Sequence, residues 1–356
     1  MNATTQTRQA ILEALGAARA ASPHLPALEI ARRLEISEGE LQAARLGRDV
    51  VTLPLSPHAL ASRFHQLGEV KALTRSRHAV LEQHGQYPVL RGSEQAGLLL
   101  APGGLDLRLH LAQWHWACLI QDSLPRAGGD STERLSLQVF NRHGIALHKV
   151  FSVAKEASPA WQELEALGTS DTPAFTQFVE PQPQPRPLPL PLPPTLADEW
   201  ARMSDVHQFL GLLRRYELRR HEANTLMEGR FTRALRPEAC GRALSNAAAN
   251  HLPLMLFVAS PGCVQIRTGR IPAPQRMRGW LNLFSEDFTL HLDDANIARV
   301  WQVHKPNRDG GVTSLEAFDA QGGLVLQIFA ERREGQPERS EWRQLLDELD
   351  AREAAA

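Results

Sequence analysis

The feature that most constrains this chain is an internal repeat at an offset of about 180 residues, the mark of one structural unit used twice. Arg32-Arg33-Leu34-Glu35-Ile36 leads into Glu40, and Arg214-Arg215-Tyr216-Glu217-Leu218 leads into Glu222. Farther on, Leu109-His110-Leu111 matches Leu290-His291-Leu292, and Pro125 matches Pro306. Leu137-x-x-Phe140-x-x-x-Gly144-x-x-Leu147-x-x-Val150-Phe151 matches Leu315-x-x-Phe318-x-x-x-Gly322-x-x-Val325-x-x-Ile328-Phe329. A length of 356 residues accommodates two ordinary domains. The expected division is residues 1–180, a linker over 181–194, and 195–356. The linker, PQPQPRPLPLPLPP, has proline at nearly every second position and reads as a polyproline II strut. At roughly 3.1 Å per residue it would span about 40 Å.

Each half opens with helical sequence and continues into strands. Val206, Phe209, Leu210 and Leu213 follow the spacing of one helix face, as do Trp342, Leu345, Leu346 and Leu349. Phe288 to Leu292, Ser314 to Phe318 and Leu324 to Phe329 have the branched and aromatic content of strands, with Gly322-Gly323 as a turn. The expected class is α+β, duplicated, with an antiparallel sheet in each unit.

Charge and motif content exclude several functions. Lys and Arg (39) nearly balance Asp and Glu (40), so no overall field draws the chain to nucleic acid or to an anionic membrane. Cys118, Cys240 and Cys263 are far apart and form no Cys-x-x-Cys pair, which fits a reducing compartment. Ala10 to Ala21 is interrupted by Glu13 and Arg19 and reads as an amphipathic helix, not a signal sequence. No segment approaches the roughly 20 apolar residues of a membrane span, so a cytoplasmic location without stable membrane insertion is expected. The fourteen histidines include no His-Glu-x-x-His, and nucleotide-loop and serine-hydrolase signatures are absent.

Two segments carry functional readings. Ala27 to Leu41 resembles a helix-turn-helix with its turn at Ile36-Ser37, the basis of an alternative function as a DNA-binding regulator using Arg32, Arg33 or Arg45. Glu38 and Glu40 stand where a DNA reader needs donors, and the second half repeats the segment, so a scaffold role is preferred. His207 follows the cap Ser204-Asp205 in the first turn of a helix, with Gly211 one turn on. The missing side chain leaves room for a flat ligand above the imidazole.

Met203-Ser204-Asp205-Val206-His207-Gln208-Phe209-Leu210-Gly211-Leu212-Leu213-Arg214-Arg215 is the first of three words that resemble the bacterial hemin-degrading factor family. The others are His304-Lys305-Pro306 through Gly311-Val312-Thr313-Ser314-Leu315-Glu316-Ala317-Phe318-Asp319, and Ala330-Glu331-Arg332-Arg333 before Pro337 to Arg343. Val70-Lys71-x-Leu73-Thr74-Arg75 and Gly104 to Leu109 extend the resemblance to the first half. It implies two stacked sheets with haem b (iron protoporphyrin IX) held between the halves. It also implies a HemS/ChuS-like role in receiving imported haem and delivering it or degrading it to release iron.

By position, the resemblance puts His207 on the iron as proximal ligand, Arg108 on the distal side, and Arg220, Lys305 and Arg332 around the propionates. Neutral imidazole is a standard axial ligand, whereas arginine cannot ligate but donates hydrogen bonds, and propionates call for cations. The implied partners are haem, an inner-membrane haem ABC permease, and a haem oxygenase or reductase, with no nucleic acid. Delivery and haem oxygenase-like breakdown, with Arg108 as the catalytic candidate, need the same pocket and stay open. Two departures from the family pattern are His110, where an aromatic is expected, and Leu81 in Ala79-Val80-Leu81-Glu82, where the family often has histidine.

Overall fold

A computed structural model describes residues 3–23, 25–125, 131–154, 158–176, 195–333 and 335–349. The proline-rich segment 181–194 lies outside the described residues. The chain divides into two compact units, one of Met1–Thr74, Glu82–Glu180 and Ser260–Gln265, the other of Arg75–Leu81, Pro181–Ala259 and Ile266–Ala356. Among the described residues, no helix is long and apolar enough to cross a membrane.

The duplication is visible strand by strand. The first half carries β1 (Val50–Thr52), β2 (Val70–Arg75), β3 (Ala79–Gly85), β4 (Arg91–Gly92), β5 (Gly97–Leu99), β6 (Asp106–Leu109), β7 (Trp116–Pro125), β8 (Ser131–Phe140) and β9 (Ala146–Ser152). The second carries β10 (Thr232–Leu235), β11 (Leu254–Ser260), β12 (Cys263–Gly269), β13 (Gln275–Met277), β14 (Trp280–Phe284), β15 (Phe288–Leu292), β16 (Arg299–Lys305), β17 (Val312–Phe318) and β18 (Leu324–Ala330). Strand order runs β1-β7-β8-β9-β2-β3 in one and β10-β16-β17-β18-β11-β12 in the other, with β6-β5-β4 and β15-β14-β13 as matching ladders. The fold is α+β with an internal duplication.

Local chemistry repeats with the topology. The antiparallel ladder slips between Val139 and Phe140 and again between Ala317 and Phe318. Each slip precedes a turn closed by an acceptor side chain. Asn141 Oδ1 accepts from His143 N and Ile145 N, and Asp319 Oδ1 accepts from Gln321 N and Gly323 N. Gly144 and Gly322 supply the left-handed residue at φ 71° and 78°.

The helix pair of the first half, Ala27–Arg33 and Glu38–Ala43, is repeated as Gln208–Arg215 and Arg220–Leu226. Between the helices Glu35 and Glu217 take φ 55° and 52°, a conformation non-glycine residues rarely adopt. The bonds Ile36 N to Ala31 O (3.1 Å) and Leu218 N to Leu213 O (2.9 Å) close both turns as Schellman motifs. Glu40 and Glu222 cap the second helices by accepting from Ser37 N (2.8 Å) and Arg219 N (2.7 Å). The helix-turn-helix is therefore a scaffold element of both units. Arg45, offered for DNA contact, is buried against Asp49, Asp122 and Gln42.

The structure corrects two of the repeat pairings. His110 N donates to Gly262 O and Asp293 N donates to His78 O at equivalent strand ends, so the counterpart of His110 is Asp293, not His291. Trp116 opposes Phe140 as Arg299 opposes Phe318, which moves the counterpart of Pro125 off Pro306 by the same two positions.

Candidate functional site

The site begins with the turn before the helix Gln208–Arg215. Gln208 Oε1 accepts from Ser204 N (2.9 Å) and Asp205 N (3.3 Å), and Arg308 N donates to Ser204 O (3.2 Å). These bonds hold residues 204 and 205 in place at the helix entrance. Phe209, Leu212 and Leu213 are buried with Trp200, whose indole N–H donates to His304 O (2.9 Å). The helix is thereby fixed to the end of β16, leaving its outer face open.

His207 stands on that outer face. It is the cap residue, with the helix starting at Gln208, two places after the Val206 start that a cap at Asp205 implies. Asp205 Oδ1 accepts from both His207 N (2.8 Å) and the imidazole Nδ1 (2.7 Å). The carboxylate sits below the usual range, chiefly because it accepts the His207 backbone N–H. With the Nδ1 proton donated to Asp205, the Nε2 lone pair is left for a ligand. The side chain is 86% exposed, and a Cβ added at Gly211 would meet nothing within 4 Å.

Behind the helix lies a buried ionic cluster. Glu316, in the middle of the wholly buried strand β17, is completely enclosed. Its Oε1 accepts from Lys305 Nζ (2.7 Å), Arg220 Nη1 (3.0 Å), Gln327 Nε2 (2.9 Å) and Ser314 Oγ (3.1 Å), and its Oε2 accepts from Asn224 Nδ2 (3.1 Å). Burial alone would raise this carboxyl's pKa, but Lys305 and then Arg220 bring it down to about 2. Burial pulls Lys305 below its ordinary value, against the attraction of Glu316. Both cations also cover the Phe209 ring, Arg220 at 5.0 Å and Lys305 at 4.9 Å. Two cations thus share one anion against the ring of Phe209, two residues along the chain from His207.

The structure thus joins Arg220 and Lys305 through Glu316 and the Phe209 ring, while His207 stands on the open face with Asp205, whose pKa the half-buried Arg332 lowers by its charge. The partner of Arg220 is Glu316, whose role sequence reasoning missed. Its one signal was an acid inside Val312-Thr313-Ser314-Leu315-Glu316-Ala317-Phe318, a run otherwise without charge. Arg108 belongs to the first unit, on β6, where it pairs with Asp106 and donates to Leu107 O (3.3 Å). Two residues along, His110 is exposed, its Nδ1 3.4 Å from Pro261 O.

The described residues contain no group of three or more His, Cys, Asp or Glu able to hold a metal ion. Haem makes no such demand, because the macrocycle supplies four nitrogens and the protein need add only an axial ligand. An exposed imidazole with its far nitrogen tied down, an unobstructed face beside it, and a cationic cluster nearby fit that group.

The family described as "Haemin-degrading HemS.ChuX domain" matches the chain twice, over residues 35–167 and 217–349. The hemin transport protein HemS of Yersinia enterocolitica is 37% identical over 344 residues, 95% of this chain and 97% of that protein. Among solved structures, holo-PhuS, a heme-binding protein from Pseudomonas aeruginosa, is 36% identical with a TM-score of 0.87, covering 97% of this chain and 99% of its own. The heme degrading enzyme ChuS of Escherichia coli O157:H7 is 33% identical with a TM-score of 0.87, covering 96% and 99%.

Proposed function

The chain belongs to the haemin-degrading HemS/ChuX family, and on that premise we propose that it binds haem b through His207, in the cytoplasm, and either delivers it or breaks it down to release iron. The observation that carries this reading is the Asp205–His207 pair at 2.7 Å, which leaves Nε2 available on an open helix face. The three cysteines are free and buried, consistent with a reducing compartment. In this reading an inner-membrane haem ABC permease supplies the ligand, and a haem oxygenase or reductase acts with the protein afterwards.

Each residue has a role that follows from its chemistry. His207 ligates. Arg220, Lys305 and Arg332 attract the acidic edge of the macrocycle, where a sheltered charge-assisted hydrogen bond contributes about 1.5–3 kcal/mol. Arg108, assigned to the distal side by family position, donates hydrogen bonds there and is the catalytic candidate if the ring is opened. Bound haem supplies the redox-active iron for that chemistry.

Reduction of the haem complex with and without oxygen tests the two fates. Loss of the Soret band with iron release in oxygen alone, unaffected by catalase, establishes breakdown. A Soret band stable under those conditions, with transfer to an acceptor protein, establishes delivery. Decay abolished by catalase assigns the loss to free peroxide.

A further inference from the structure

Asp205 does more at the helix entrance than a capping residue requires. A cap needs one oxygen on one backbone N–H. Asp205 Oδ1 takes the His207 backbone N–H at 2.8 Å and also the imidazole Nδ1 at 2.7 Å. Its own backbone is held by Gln208 Oε1, so the carboxylate is in place before any ligand arrives. The side chain of Asp205 is 57% exposed, which rules out burial as the reason for the pairing.

We propose that Asp205 is a positioning residue for the haem iron: it fixes the tautomer of His207, gives the imidazole partial imidazolate character, and so favours the ferric over the ferrous state of the bound haem. A carboxylate accepting from the remote nitrogen of a ligating imidazole makes the ligating nitrogen a stronger donor, and stronger donation stabilises the higher oxidation state. A flat ligand lying on the helix face excludes water from the pair and strengthens the bond. Retention of ferric haem is what a carrier needs if chemistry is to wait for a reductant. This inference rests on the assignment of His207 as the ligand.

The test uses the full chain loaded with haem, as wild type, Asp205→Asn and Asp205→Ala. Asparagine keeps the carbonyl acceptor and is itself a good cap, so it removes the charge while leaving the helix entrance intact. The expected result for Asp205→Asn is imidazole ligation retained, a more positive reduction potential, and a lower iron–imidazole stretching frequency in the ferrous complex. Asp205→Ala should show larger shifts in the same directions and bind ferric haem about tenfold more weakly. A potential and stretching frequency in Asp205→Asn equal to wild type, with His207 still on the iron, would overturn the inference. Haem binding unaffected by His207→Ala would instead remove the reading on which it rests.

Discussion

Glu38 and Arg220 occupy the same first helical position in the two units, and each pairs with a sheet residue of the opposite charge. Glu38 Oε1 takes Lys149 Nζ on β9, whereas Arg220 Nη1 donates to Glu316 Oε1 on β17. Lys149 opposes Gln138 across its ladder as Gln327 opposes Glu316, so acid and base have exchanged places between helix and sheet. The registers also make Lys305 the counterpart of Asp122, and Asp122 is answered by Arg19, Arg45 and Arg134. One scaffold therefore carries two charge patterns. In the unit that carries His207, Arg220 and Lys305 surround Glu316, and the proposed function gives these two cations to the acidic edge of haem.

Removing one of those cations should separate affinity for the acidic edge from affinity for the iron. Arg220→Ala is expected to weaken binding of haem about tenfold, the equivalent of one lost charge-assisted hydrogen bond. Binding of the dimethyl ester, which has no carboxylates, should change little. Paired Soret titrations check this, and equal losses for both ligands would count against a propionate role.

Lys305→Met tests the cluster as structure. It leaves Glu316 buried with one cation fewer, and breaking a buried ion pair costs about 3–5 kcal/mol. Denaturant titration of the ligand-free chain should show that loss in the second unit's transition. Exposed pairs such as Arg33–Glu29 should contribute below about 1 kcal/mol.

The first unit contains its own titration marker. His148 is enclosed, bonded to Thr74 Oγ1 (2.8 Å) and Tyr87 Oη (2.6 Å), and burial lowers its pKa to about 3. The unfolded imidazole titrates near its ordinary value, so between the two the unfolded state binds the extra proton. The corresponding stability is complete above about pH 6.5 and is lost as pH falls toward 3, at up to about 1.4 kcal/mol per pH unit. His148→Leu, which installs the residue type of its counterpart Leu326, should flatten that slope while lowering stability at neutral pH.

Arg108→Ala should leave the imidazole-ligated spectrum of the haem complex in place and slow any oxygen-dependent loss of the Soret band. Following aerobic decay after reduction checks this. Unchanged decay would remove Arg108 as the catalytic candidate.

Much of this fold was legible because the repeat preserves residues that its turns require. Glu35 and Glu217 sit at paired left-handed positions, Gly144 and Gly322 close paired turns, and the bulges fall at Phe140 and Phe318. The pairing of His110 with His291 failed for a physical reason. Strand side chains alternate with period two, so a two-residue slip keeps every residue on its face and a Leu-His-Leu pattern cannot fix register. The candidate ligand His207 could be singled out from the sequence because Asp205 and Gly211 stand close to it. Glu316 was not, because Arg220 lies 96 residues from it and only the assembled sheet brings them together. The segment 181–194 falls outside the described residues and adds nothing to either side of this comparison.

The most direct measurement is a haem titration of wild type and His207→Ala, followed at the Soret band. His207 is exposed, so its loss should leave the fold intact. The account predicts a saturable one-to-one spectrum for wild type that is lost or strongly shifted in His207→Ala. An identical spectrum in the variant would contradict it and move the iron to another residue.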